Sequence, residues 1–132
     1  MFYQNDIMDI VADHLEREGW EVTKAHARQR KDSVVAVMGK QRLIINSKGE
    51  TSSDPESSRF GKAFDRSQAK TQVGDGLLRL LDRVGLDGTS IGLALPDNPA
   101  HRNAVSTFAP AYPASGLRIY WVAADRGVTV EP

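Results

Sequence analysis

The 132-residue chain contains no cysteine. That excludes disulfide bonds, thiolate zinc sites and cysteine nucleophiles, and it fits the expectation of a cytoplasmic protein. No apolar run approaches the roughly 18 residues of a membrane span, so no membrane partner is expected. The opening residues Met-Phe-Tyr-Gln-Asn-Asp hold no basic stretch followed by an apolar core, so no secretory signal is expected either. A glycine-rich phosphate loop is missing: Gly74-x-Gly76 falls inside a helical pattern and lacks the lysine such a loop needs. There is no Ser-His-Asp order of the hydrolase kind, no repeat, no low-complexity tract and no domain linker. Net charge is also lacking, with 17 basic against 17 acidic residues.

What is there suits one globular domain spanning residues 1–132. Hydrophobic residues make up 40% and charged residues 26%, ordinary values for such a domain. The charge is unevenly spread. Residues 1–18 carry five acids and one base, whereas residues 24–48 carry seven bases against the single acid Asp32. A basic segment on a neutral chain suits a polyanionic partner, or simply a solvated hairpin face.

Apolar periodicity predicts a first helix over residues 5–18, with Ile7, Ile10, Val11, His14 and Leu15 on one face. Asn5 or Asp6 is the expected cap and Gly19 the expected stop. His14 reads as a packed histidine, and His26 and His101 as structural or exposed. Strands are expected at Trp20–Ala27, Val34–Met38 and Leu43–Ser47, with Gly39-Lys40 as a tight hairpin turn. Glu50–Gly61 reads as an exposed loop. A second helix is expected over Ala63–Val84, with Val73, Leu77, Leu80, Leu81 and Val84 as its apolar stripe and Gly74 and Gly76 loosening its middle. Ser90–Leu95 reads as a buried strand. Asn98 and Pro99 then start a third helix running to about Phe108. Leu117–Ala123 and Val128–Val130 are the last strands. A meander followed by strand–helix alternation implies an α/β protein with a mixed sheet flanked by helices.

The most informative stretch is Lys40–Gly49, in which Leu43-Ile44-Ile45 lead into Asn46-Ser47-Lys48-Gly49. Side chains alternate along a strand, so Asn46 and Lys48 share a face. Asp32 precedes the neighbouring strand. An aspartate at the mouth of one strand and a lysine at the end of the next is a layout for handling phosphate and a metal ion.

This order of elements, together with Gly19-Trp20, Asp32, Asn46-Ser47-Lys48-Gly49, Gln68, Gln72 and Leu95-Pro96, resembles the PD-(D/E)xK nuclease superfamily, the restriction-endonuclease-like fold. The resemblance implies the order αβββαβαβ(β), and it covers nearly the whole chain. It implies Asp32 as a metal ligand and Lys48 as the catalytic lysine. Asn46 stands where the family has a second carboxylate. The backbone carbonyl of Ser47 and a relocated Glu50 are the further metal-ligand candidates, with Asp65, Asp9 and Asp13 as other acids that could stand in.

The implied metal is Mg²⁺, a hard ion that prefers oxygen ligands. It would activate a water and neutralise charge during phosphodiester hydrolysis. An amide at position 46 contributes no charge, so weak metal binding is expected. Gln68 is implied at the catalytic centre and Gln72 beside it, toward nucleic acid. Arg28, Arg30, Lys31 and Lys62 are candidate phosphate contacts, which position nucleic acid without reading its sequence. Three readings stay open. One is a nucleic-acid-binding protein, DNA favoured, with a degenerate site. Another is an active Mg²⁺-dependent endonuclease with a relocated carboxylate. The last is a non-enzymatic protein-interaction domain. A domain of this size often works as a homodimer or beside a partner protein.

Overall fold

A computed structural model describes residues 1–24, 34–51, 56, 61–81, 88–108 and 116–131. The elements come in the expected order: α1 (Gln4–Arg17), β1 (Glu21–Lys24), β2 (Val34–Met38), β3 (Gln41–Ser47), α2 (Arg66–Leu81), β4 (Thr89–Pro96), α3 (Pro99–Ser106), β5 (Arg118–Val122) and β6 (Val128–Glu131). The six strands form one open mixed sheet whose spatial order follows the sequence. β1, β2 and β3 are antiparallel neighbours, β3, β4 and β5 run parallel, and β6 returns antiparallel along β5. The parallel pairs need crossovers, and α2 and α3 supply them.

The alternation within β3 divides the core. Leu43 and Ile45 face α1, where Ile7, Val11 and Leu15 meet Ala94, Tyr120 and Val122. Ile44 faces the other way, toward Val73 and Leu80 of α2, Val105 of α3, and Leu93, Ile119 and Trp121 of the sheet. The sheet is therefore sandwiched between α1 on one side and α2 with α3 on the other. Both faces of β4 and β5 are covered, which is why these strands read as continuous apolar runs. Among the described residues no helix is long and apolar enough to cross a membrane.

Local differences from the sequence reading have local causes. α1 is capped at Tyr3, whose N–H donates to the Asp6 carboxylate at 2.7 Å, so Asp6 sits inside the first turn and not at the cap. Gly19 does end α1, with a positive φ of 99° that other residues resist. β1 begins one residue after Trp20, which lies half-buried against the α1 core. α2 starts later than expected, because the Phe64 N–H is taken by the Glu50 carbonyl (2.8 Å) and Asp65 provides the cap. It runs unbroken through Gly74 and Gly76, and its buried stripe is Ala69, Val73, Gly76 and Leu80. Leu81, expected in that stripe, is 46% exposed. At α3 the cap and first position are Asn98 and Pro99, as the sequence suggested. Most of the loop between Glu50 and Gly61, and Val84, lie outside the described residues.

Candidate functional site at the end of strand β3

β3 ends in a run of buried polar side chains. Asn46 is 3% exposed, Ser47 0% and Lys48 6%. Asn46 and Ser47 are fixed by their pairing with Leu93 and Ala94 of β4, and the Lys48 N–H extends that ladder by donating to the Ala94 carbonyl at 3.0 Å. This is the carboxyl end of the parallel strands, where open α/β sheets place their ligands.

The Lys48 side chain meets α2. Its Nζ lies 2.5 Å from Oδ2 of Asp75, and the same oxygen accepts from Arg79 Nε at 3.0 Å. Burial pushes the Asp75 carboxyl up, but the hydrogen bonds and charges of Lys48 and Arg79 outweigh it and hold the group below the usual carboxylate range. The ammonium at the strand end is thus neutralised by a carboxylate from the helix.

Position 76 lets the helix come that close. A Cβ at Gly76 would stand 2.8 Å from Leu93 Cδ2, 3.0 Å from Asn46 Oδ1 and 3.3 Å from Lys48 Cε. Asn46 Oδ1 lies beneath the helix backbone and has no hydrogen-bond partner among the described residues. A neutral amide tolerates this placement better than a carboxylate would, since an unpaired buried charge is far costlier than an unpaired amide oxygen.

Asn46, Lys48 and α2 therefore converge. Glu50 does something else. β3 has ended by then, and the Glu50 carboxylate accepts from the Phe2 N–H at 2.7 Å and from Asn98 Nδ2 at 3.4 Å, which ties the N-terminal segment to the start of α3. The segment crosses directly over Gly49, where a Cβ would come 2.5 Å from the Gln4 nitrogen.

Gln68 is committed to capping: its Oε1 accepts from the Asp65 N–H and its own N–H donates to Asp65 Oδ1, both at 2.9 Å. Its Nε2 is buried and unpartnered among the described residues. Gln72 is half-buried one helical turn before Gly76, on the side of α2 that reaches β3. Lys62 is exposed. Asp9 pairs with Lys24 at 3.2 Å and Asp13 with Arg17, so both acids are engaged away from β3. Asp32, Arg28, Arg30, Lys31 and His26 lie outside the described residues. The β2 residue nearest to them in sequence, Val34, pairs with Ile45, which brings the start of β2 beside the end of β3.

The sequence reading missed Asp75. Its trace was present: an acid between two glycines in the middle of an apolar helix, with Arg79 four residues on.

A second polar cluster adjoins the same sheet end. His101 is fully buried, with Nδ1 2.8 Å from Asn98 Oδ1, which also accepts the His101 backbone N–H. Asn98 Oδ1 can only accept, so Nδ1 carries the proton. Burial drives the imidazole down to about 4, against the opposing pull of the Glu50 charge, and the ring is neutral at physiological pH.

Two surface clefts lie elsewhere. One, of about 200 Å³, is lined by Asp9, Asp13, His14 and Arg126. The other, of about 280 Å³, is lined by Trp20, Gln41, Thr89 and Arg118. Neither is lined by Asn46 or Lys48.

Asp32, the first expected ligand of a magnesium ion, lies outside the described residues, and the described ones are already engaged. Mg²⁺ demands near-octahedral oxygen ligands. Here Asn46 Oδ1 is roofed by Gly76, and the Asp75 carboxylate already holds an ammonium and a guanidinium. Among the described residues no three Asp, Glu or His side chains converge on one point. No protein-family model matches the chain, and no curated protein matches it significantly.

Proposed function

We propose that this chain is a restriction-endonuclease-like domain that binds nucleic acid, DNA in the first instance, through the carboxyl end of β3, without an efficient metal-dependent phosphodiesterase centre. The observation that carries the reading is Lys48: a nearly buried ammonium held at the strand end beside a neutral Asn46. A cation there suits a phosphate. The missing carboxylate at position 46 removes the charge that would hold Mg²⁺. The basic segment 24–48 supports the same partner, because lysines and arginines that neutralise phosphates supply most of non-specific affinity.

The test is fluorescence anisotropy of labelled single- and double-stranded oligonucleotides across a salt series, with and without Mg²⁺. The expected result is salt-sensitive binding, weakened by Lys48→Met, with the oligonucleotide left intact. Absence of binding at low salt would overturn the reading.

One observation favours a second reading, an Mg²⁺-dependent endonuclease with a relocated carboxylate. Asp75 brings an acid to Lys48, as such a centre would require. Cleavage that needs Mg²⁺ and disappears in Asp32→Ala, Lys48→Ala and Asp75→Asn would establish this second reading over the first.

A further inference from the structure

Lys48 and Arg79 converge on one oxygen. Asp75 Oδ2 is 2.5 Å from Lys48 Nζ and 3.0 Å from Arg79 Nε. The lysine side chain is 7% exposed, whereas those of Asp75 and Arg79 are 45% and 48% exposed. The strand therefore fixes one cation from below, the helix adds another at the surface, and the carboxylate lies between them as a cover. Two cationic donors aimed at one anionic oxygen is an arrangement that also holds a phosphate oxygen. We propose that Asp75 is the internal occupant of a phosphate-oxygen subsite formed by Lys48 and Arg79, and that a nucleic-acid phosphodiester enters by displacing it.

The two ends of the pair differ in freedom. Lys48 cannot withdraw, since its stem is buried and Gly76 packs against its Cε. Asp75 can, because nearly half of its side chain already meets water and a rotated carboxylate would be hydrated there. The carboxyl stays ionised at neutral pH. It competes with an incoming phosphodiester as one singly charged anion with another, so that exchange responds to salt and not to pH near neutrality. The competition keeps affinity low until several phosphates of one polymer act together, which favours a polyanion over a free phosphate ion.

That the phosphate belongs to nucleic acid rests on the function proposed above; the subsite itself does not. The experiment compares the 132-residue chain with its Asp75→Asn variant, which keeps an acceptor for Lys48 while adding one net positive charge. Oligonucleotide binding is followed by anisotropy over a salt series, and inorganic phosphate binding by ³¹P NMR. The expected result is several-fold tighter oligonucleotide binding by Asp75→Asn, with a salt slope steeper by about 0.9. The gain should vanish in Asp75→Asn/Arg79→Gln.

If the wild type binds oligonucleotide and a folded Asp75→Asn binds it no better, the subsite is refuted while the nucleic-acid reading stands. If neither binds oligonucleotide but Asp75→Asn takes up inorganic phosphate in an Arg79-dependent way, the subsite stands and the nucleic-acid reading falls. If Asp75→Asn binds neither, the subsite is refuted. Should Asp75→Asn fail to fold, the ¹³Cγ resonance of Asp75 in the wild-type protein decides. Displacement moves it toward the position of a hydrated carboxylate as oligonucleotide or phosphate is added, and an unmoved resonance on saturation overturns the proposal.

Discussion

Gly76 of α2 packs so closely on Asn46 of β3 that a single added methyl would stand 3.0 Å from the Asn46 side-chain oxygen. The same methyl would come 2.8 Å from Leu93 Cδ2, inside the range that real Cβ atoms avoid. Helix and strand end are locked together at this one position, and the Lys48–Asp75 pair forms because the lock holds them there.

Gly76→Ala should therefore destabilise the fold by about 1–3 kcal/mol, the usual cost of overpacking a filled core. Gly74, two residues earlier in the same helix, has nothing within 4 Å of its would-be Cβ. Gly74→Ala should stabilise by about 0.5–1 kcal/mol through helix propensity alone. Urea denaturation of the two variants checks the contrast. Equal effects of one sign would mean that α2 does not sit on β3 as described.

The Lys48–Asp75 pair should be asymmetric under mutation. Asp75→Ala leaves an ammonium buried without its carboxylate, a loss of about 3–5 kcal/mol for a fully buried pair. Asp75 is 45% exposed, so water reaches the vacated side and about 1–2 kcal/mol is the expected cost. Lys48→Met removes the buried charge and leaves a half-exposed acid that Arg79 still serves, so it should change stability by less than about 1 kcal/mol. Chemical denaturation of both variants, and of the double variant, gives the coupling energy directly.

His101 should impose a pH dependence on stability. Its folded value of about 4 lies below the ordinary 6.5, because burial disfavours the charged ring. Between those values the unfolded chain binds a proton that the folded chain refuses. The contribution is complete above pH 6.5 and is lost as pH falls through 4. Its size is about 3 kcal/mol at most. His101→Gln should flatten the stability profile over that window, measured by urea midpoints at successive pH values. A wild-type profile that is already flat there would mean that the ring is not held neutral.

How much of this was legible beforehand follows from what each signal depends on. The element order rests on apolar periodicity, which local burial enforces, and it could be read along the whole chain. The Asn98-Pro99 start of α3 and the Gly19 stop of α1 were legible because cap chemistry is local. Asp75 left a local trace, but its pairing with Lys48 was not legible, since the partner lies 27 residues away and depends on how α2 crosses the sheet. The contacts of Glu50 were not legible for the same reason. Strand parity predicted a shared face with Lys48, but β3 stops at Ser47 and the N-terminal segment claims the carboxylate. The capping contacts of Gln68 were not legible either, because spacing cannot tell a capping glutamine from one that faces a ligand.

Asn46→Asp tests whether the β3 end can take a divalent metal. In the absence of metal the new carboxylate would be almost fully buried, beneath Gly76 and near an ammonium that Asp75 already holds. Two carboxylates would then compete for one lysine, and the protein should lose more than about 1–3 kcal/mol, the cost of an unpaired neutral polar group, because the new group is charged. A divalent cation changes the balance, because it offers the new carboxylate a counter-charge. If the strand end still has the shape of a metal centre, Mn²⁺ should raise the melting temperature of Asn46→Asp well above any effect on the wild type, by linkage between binding and folding. The gain should disappear when Asp32→Ala is added. A variant that Mn²⁺ leaves unchanged would count against a metal site at the β3 end. The β3 end would then serve only to hold Lys48 for an anion.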